Sequence, residues 1–580
     1  YVLLDPKADY KKTEAQLTPV TRAYTSNGAT KSKFFLQPLE NIHLRSNLSY
    51  ETEPNGSMSN VYSLALIAVF ILIIAWVNYI NLSTARSLER AKEVGIRKVM
   101  GAERGQLIKQ YILESVFLSI IAAVVSVMLF LAVLPFFKQF LGDASLQGFS
   151  ILGYPSYWVG LLIIFLAGSV LAGLYPAFVL SSFQPIEVLK NKVIERTDRF
   201  SFRKALVVFQ FAVSYVLITA TMIIYYQINY MKEQNLGFTT DRMVVIKSPN
   251  TVQDGGGASS SAEVLRGEIT KLPMVSSMCI SSNIPGKPYN QGSAGIRRVG
   301  TDPKEGKFYN IIGVDYDFIP HYQMRLVSGR NFTRNFGADS SGVVLNEAAA
   351  AQLGFKNPKE AISKKIHFWG IEATILGVIS NYHHESLKSA FTPIIFSLLP
   401  QSDYTFYSVK LNGTGNNAVH AIQEKWSKIF PDKPYDYFFL DDFFNEQYRT
   451  DDQTGQMFTF FSILAILVAS MGLFGFSAYV NRKRTKEVGI RRILGATAIS
   501  NFLMLCASSV RLVLIAVVIA SPLTYYLLHR WLQNFPFAVD QNLGLYTAAA
   551  ALLMFISLLT IAYQAFKTAR VNPVKTLKNE

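Results

Sequence analysis

The sequence predicts a membrane α-helical protein that carries an α+β domain outside the bilayer. Half of its 580 residues are hydrophobic and only 17% are charged, against roughly 25% in an average soluble domain. Seven stretches, near 61–82, 112–135, 156–180, 205–229, 456–480, 502–527 and 544–566, approach the about 20 apolar residues a spanning helix needs. Between the fourth and fifth, residues 230–455 switch to β-branched runs alternating with helical ones. A mean hydropathy of +0.23 excludes a disordered or fibrous chain and argues against a wholly soluble enzyme.

Lys and Arg orient the spans. Segments 83–110, 181–204 and 481–500 and the tail after 566 are rich in both, whereas loops 136–155 and 528–543 are nearly free of them. Threaded in order, the basic segments share one side, which the positive-inside rule makes the cytoplasm. The net charge of +16 is therefore topological, and no nucleic-acid partner is implied. Residues 1–60 and 230–455 fall outside, which in a bacterium with two membranes places the chain in the inner membrane with periplasmic domains.

The chain repeats itself. Glu93-Val-Gly-Ile-Arg-Lys-Val-Met-Gly-Ala102 returns as Glu487-Val-Gly-Ile-Arg-Arg-Ile-Leu-Gly-Ala496, 394 residues later. Tyr175-Pro-Ala-Phe178 returns as Tyr563-Gln-Ala-Phe566, and Phe34-Phe-Leu36 as Phe438-Phe-Leu440. The expected divisions are residues 1–60, the C-terminal part of a first outer domain; 61–204, a first three-span unit; 205–229, a helix opening the second unit; 230–455, an outer domain; and 456–580, a second three-span unit. The first unit begins partway through its outer domain, so an eighth span and most of another outer domain are expected before Tyr1.

Within 230–455, strands are expected at Arg242–Lys247, Gly342–Asn346 and Ala373–Ile379, with helices at Glu347–Leu353 and Ala418–Phe430. Asp254–Ala262, rich in Gly and Ser, reads as a flexible loop.

On the duplicated E-V-G-I-R-[KR]-x-[LM]-G-A segment, with Val327-Ser-Gly-Arg-Asn-Phe332, Val344-Leu-Asn-Glu347 and Gly377–Leu387, the chain resembles the FtsX-like, or MacB-type, permeases of ATP-binding-cassette systems. The resemblance implies a MacB-like periplasmic core domain at 230–455 and a permease subunit that pairs with a separate ATPase. Members variously export drugs or peptides, extract lipoproteins, or transmit force to cell-wall enzymes. The incomplete first unit departs from the tandem pattern.

The duplicated segments are the candidate site, as coupling elements that dock on the ATPase. Gly95, Gly101, Gly489 and Gly495 permit a sharp turn and close approach. Arg97 and Arg491 face acidic groups of the partner, and Glu93 and Glu487 hold the local geometry. The plainer reading is that the basic residues anchor topology and the glycines end helices. Two ATPase copies are expected per chain; a periplasmic adaptor or outer-membrane component is compatible with the resemblance.

Nothing in the sequence supplies catalysis. It has no G-x-x-x-x-G-K-[ST] phosphate loop and no G-x-S-x-G elbow, so ATPase activity is expected in a partner chain. No cofactor is implied. His383-His384-Glu385 reads as a structural strand end and not a metal site, because neighbouring side chains of an extended segment point to opposite faces. Cys279 and Cys506 are too few and too far apart for a disulfide scaffold or zinc knuckle. Glycines at 168, 173, 472 and 475 permit close helix packing. A membrane-bound periplasmic ligand sensor without transport activity is the alternative, which the short cytoplasmic segments disfavour.

Overall fold

The computed structural model describes residues 2–24, 35–46, 56–141, 155–181, 202–249, 258–334, 339, 341–387, 389–398, 405–413 and 416–570. The basic segment 182–201 and the tail after 570 lie outside them, as do Phe34 of the aromatic repeat and residues 254–257 of the expected loop.

Seven helices in the described residues are long and apolar enough to cross a membrane. After two outer helices, α1 (Tyr10–Tyr24) and α2 (Leu39–Arg45), come α3 (Met58–Val99), α4 (Arg104–Leu141), α5 (Pro155–Ser181) and α6 (Phe202–Glu233). At 42 residues, or about 63 Å, α3 is twice the bilayer core, so it runs on past the membrane as a cytoplasmic helix. In the second unit that continuation is broken: α13 (Arg449–Lys483) stops, and a separate helix α14 (Thr485–Ile493) follows. The spans α15 (Ala498–Leu532) and α16 (Leu543–Ala569) complete the bundle.

Small residues set how closely the helices meet. A methyl group added at Gly168 would lie 1.9 Å from the Trp76 ring, at Gly173 2.8 Å from Ser115 Oγ, and at Gly475 2.1 Å from Leu82. Close backbone approach of this kind is what membrane helices use where no hydrophobic force drives them together. Side-chain amides then lock the contact: Gln210 Nε2 of α6 donates to the Ala469 carbonyl of α13 at 2.6 Å, and Asn78 Nδ2 of α3 donates to the neighbouring Val468 carbonyl.

The described residues of the outer domain form eleven strands: β1 (Met243–Lys247), β2 (Val275–Ser281), β3 (Gly292–Arg298), β4 (Lys307–Val314), β5 (Leu326–Gly329), β6 (Gly342–Asn346), β7 (Lys365–Phe368), β8 (Ile371–Ile379), β9 (Ile394–Leu398), β10 (Phe406–Leu411) and β11 (Tyr437–Phe439). Pairing runs β11-β1-β10-β2-β4-β3-β7-β8-β6-β9, and a parallel β4–β9 ladder closes β4, β3, β7, β8, β6 and β9 into a ring. Five short helices decorate it: α7 (Ala258–Ile269), α8 (Phe318–His321), α9 (Glu347–Gln352), α10 (Pro358–Ala361) and α11 (Asn416–Ile429). A sixth, α12 (Leu440–Glu446), leads into α13. The expected flexible loop is thus helical from Ala258 onward, because Ala262, Leu265 and Ile269 recur at helical spacing and bury against β1, β2 and β10.

The other sheet face has a different cover. Ile224, Ile228 and Met231 of α6 join Val245, Cys279, Phe318 and Phe396 in one apolar cluster, with Trp531 in the last turn of α15 and Phe535 and Phe537 of the connection to α16 packed on it. The apolar core therefore continues from the bundle into the outer domain. Gln227 fastens the connection further: its Nε2 donates to the Phe537 carbonyl at 2.9 Å, and Val539 N donates to its Oε1 at 2.8 Å. Lys232 of α6 pairs with Asp452 of α13 at 2.7 Å beside the same junction.

His383 and His384 belong to this junction. The His383 ring lies 4.6 Å from Phe391 and 4.7 Å from Phe537, centroid to centroid. His384 uses both nitrogens locally, Nδ1 with Tyr382 Oη and Nε2 with the Lys287 carbonyl, each at 3.0 Å. Burial pushes its pKa down to about 3, so it is a neutral ring whose Nε2–H donates.

Candidate functional site: a duplicated cytoplasmic elbow

The duplicated segments form helix ends of the same shape. Arg97 Nη2 donates to Glu93 Oε1 at 2.6 Å, and its Nη1 donates to Gln110 Oε1 at 2.9 Å. In the second copy, Arg491 Nη2 lies 3.0 Å from Glu487 Oε1. Each pair spans one helical turn, with the Glu N-terminal to the Arg, the favourable order. Arg97 is thus held by its own helix and by Gln110 of α4, and Arg491 by its own helix.

The four glycines divide into two roles. Gly95 and Gly489 are buried inside helices. Gly101 and Gly495 end them, with φ of +97° and +93°, the left-handed region where a Cβ is penalised. Around each the backbone closes a Schellman motif: Gly101 N donates to the Lys98 carbonyl and Ala102 N to that of Arg97, while Gly495 N donates to the Arg492 carbonyl and Ala496 N to that of Arg491. The helix-ending reading of Gly101 and Gly495 is the structural one, and nothing lies within 4 Å of a methyl group at either.

Turning the chain so sharply raises apolar side chains into the open. Ile96, Val99 and Met100 are 58%, 65% and 83% exposed, and their equivalents Ile490, Ile493 and Leu494 are 44%, 60% and 80% exposed. These are the residues that reading the sequence for charge and glycine passed over. The signal for them was present: apolar positions at i, i+3 and i+4 within a basic segment, kept at the same offset in both copies.

Beneath each triad sits a buried anchor. Val94 packs with Leu107, Tyr111 and Ala177, and Val488 lies in a cluster with Leu505, Cys506 and Ala565. Tyr111 and Leu505 are equivalent positions, as are Ala177 and Ala565. The same elbow is thus seated on the same helices twice. No group of three or more potential metal ligands occurs among the described residues.

Fold and site define a multi-pass membrane protein with two matching helical units and one mixed domain between them. The FtsX-like permease C-terminal family model matches residues 65–185 and again 459–573. The MacB-like periplasmic core domain model matches residues 206–424. The chain belongs to the FtsX-like permeases that carry a MacB-like periplasmic core domain.

Among named relatives, MacB of Neisseria meningitidis serogroup A, a macrolide export ATP-binding/permease protein, is 30% identical over 125 residues, 21% of this chain and 18% of that protein. YknZ of Bacillus subtilis, an uncharacterized ABC transporter permease, is 33% identical over 130 residues, 21% of this chain and 30% of that one. The matches therefore span less than a third of those relatives' own length. The crystal structure of the periplasmic region of MacB from Actinobacillus actinomycetemcomitans aligns at 18% identity and a TM-score of 0.26, covering 37% of this chain and 94% of that one.

Proposed function

We propose that the chain is the transmembrane subunit of an ATP-binding-cassette system in a bacterial inner membrane, and that the two elbows receive the motion of ATPase subunits bound beneath them. The carrying observation is the elbow itself, repeated 394 residues apart with the same ion pair, glycine turn and exposed apolar triad. Three apolar side chains standing clear of a helix end form the kind of anchor that fills a partner's groove. In this reading Glu93–Arg97 and Glu487–Arg491 stiffen the last turn, Gly95 and Gly489 let it seat closely, and Gly101 and Gly495 set the angle. Ile96, Val99 and Met100, with Ile490, Ile493 and Leu494, do the docking.

The functional units are 61–204 and 456–580, each bearing one elbow, with 205–229 joining the second unit to the domain at 230–455. Motion would pass from the elbows along α3 and α13 to α6, and from there into the outer domain through the continuous core at Ile224, Ile228 and Met231. That route favours movement of a periplasmic domain, for efflux or release of a periplasmic substrate, over transport through a polar channel. Affinity purification of the full chain from native membranes tests it. An ATPase should co-purify at two copies per chain, and recovery should fall when Met100→Asp and Leu494→Asp are introduced together. Recovery of no ATPase, or undiminished recovery with the double variant, contradicts the reading.

A further inference from the structure

The sheet of the outer domain ends at β11, which pairs with β1 and, among the described residues, with no other strand. Lys247 N donates to the Asp436 carbonyl at 2.9 Å, so Asp436 and Phe438 are the positions whose backbone groups face β1. Tyr437 lies between them, opposite Ile246 in a non-hydrogen-bonded pair, and its N–H and C=O point away from the sheet. Neither has a partner among the described residues. Open edges are ordinarily blocked by Lys, by Pro or by a bulge, and Tyr437-Phe438-Phe439 carries none of these. Its shortness limits it to a short added strand.

Beside this edge lies a cleft of about 760 Å³, walled by Asp442, Phe443 and Glu446 of α12 and by Arg449 and Asp452 of α13. The wall is acidic. Arg449 is engaged by Glu446 at 3.4 Å and Asp452 by Lys232 at 2.7 Å, whereas the Asp442 carboxylate has no partner among the described residues. The two faces of the strand differ. Phe438 meets Phe443 of α12 with ring centroids 4.9 Å apart, while Tyr437, 40% exposed, stands with Tyr435 and Phe439 on the opposite face.

A strand laid on this edge sets alternate side chains over the acidic wall and over the Tyr437 face. Lys or Arg suits the first and an apolar residue the second. The one cation in the lining, Arg449, is already paired, so a terminal carboxylate finds no counterion and an internal stretch fits better than a chain end. A second copy of the same edge would bring Asp442 and Glu446 against their own kind, which like charge disfavours. We propose that β11 is a strand-addition site for an extended loop of a soluble periplasmic protein, basic and apolar at alternate residues. The site needs neither elbow nor ATPase, so its test stands apart from that of the coupling role; it shares only the orientation of the spans.

The test uses the full chain in phosphatidylcholine nanodiscs and a fluorescein-labelled heptapeptide of alternating Lys and Val, capped at both ends, read by fluorescence anisotropy. A peptide of alternating Glu and Val should bind about tenfold less tightly, and Asp442→Lys, a change at an exposed side chain, should reverse that order. Tyr437→Pro removes the outward N–H while Asp436 and Phe438 keep their bonds to β1, and should weaken binding about tenfold. N-methylation of the peptide reads the backbone directly. Methylating one alternate set of amides, the lysines or the valines, should abolish binding, and methylating the other should leave it within about twofold. A free C-terminal carboxylate should not tighten it. Binding that survives both methylation patterns or is lost with both, or no binding of the Lys peptide at all, overturns strand addition. Binding indifferent to Tyr437→Pro and to Asp442→Lys overturns the site, and tighter binding of the uncapped peptide overturns the assignment to an internal loop.

Discussion

Asn78 and Gly472 hold the same position in the two copies of the unit, 394 residues apart, and they meet where α3 crosses α13. A methyl group at 472 would sit 1.7 Å from Asn78 Oδ1. One copy supplies an amide that reaches across to the facing backbone, and the other supplies the gap that lets it in. The duplicated units have thus diverged at the point where they touch, so their interface is complementary and not self-symmetric.

Gly472→Ala should therefore destabilise the bundle by about 1–3 kcal/mol through overpacking. Asn78→Ala removes the clashing amide, and the double variant should recover part of that loss, with a coupling energy of about 0.5–3 kcal/mol. Thermal unfolding of the detergent-solubilised protein and its three variants measures the cycle. Strict additivity would mean the two residues do not share the contact.

The outer domain should weaken in mild acid. Burial pushes the pKa values of His321 and His384 down to about 3, while in the unfolded chain each returns to about 6.5. As pH falls below about 6.5, the unfolded state binds protons that the folded state refuses, so stability is lost on the way down toward pH 3. Each ring contributes a slope of at most about 1.4 kcal/mol per pH unit. His321→Gln with His384→Gln should flatten the curve between pH 6.5 and 4, read from denaturant unfolding. A slope unchanged by the double variant would remove these rings from the account.

Orientation is tested by cysteine accessibility. Cysteines at the exposed Lys304 and Lys359 of the outer domain should react with an impermeant thiol reagent in cells with a permeabilised outer membrane. A cysteine at Ile493 on the second elbow should not. Native Cys279 and Cys506 are both buried and give low background. The reverse pattern would invert the topology.

The spans and elbows were legible in the sequence because the bilayer imposes length and charge rules that local composition obeys. Strands at Met243–Lys247 and Gly342–Asn346 were legible for a similar reason, being continuous runs buried on both faces. What stayed hidden is long-range. The parallel pairing of Asn310–Val314 with Ile394–Leu398 closes the strand ring across 84 residues, and no local signal announces it. Ala258–Ala262 read as a loop because its serines and glycine neighbours carry weak helix propensity, which packing against β1 and β10 overrides. At the candidate site, charge drew attention to Arg97 and Arg491. In the folded protein each one pairs with the Glu one turn earlier, leaving the apolar triads outermost.

That distinction gives the most direct test of the central claim, that the elbows dock through their apolar triads. Stimulation of ATP turnover should be measured with the full chain and its ATPase reconstituted together. Arg491→Gln removes an exposed intrahelical pair worth about 0.2–1 kcal/mol, and stimulation should survive it. Leu494→Asp buries no core volume, since Leu494 is 80% exposed, so the protein should insert normally and yet lose most of its stimulation. Full stimulation with Leu494→Asp and Met100→Asp combined, or its loss with Arg491→Gln alone, would contradict apolar docking.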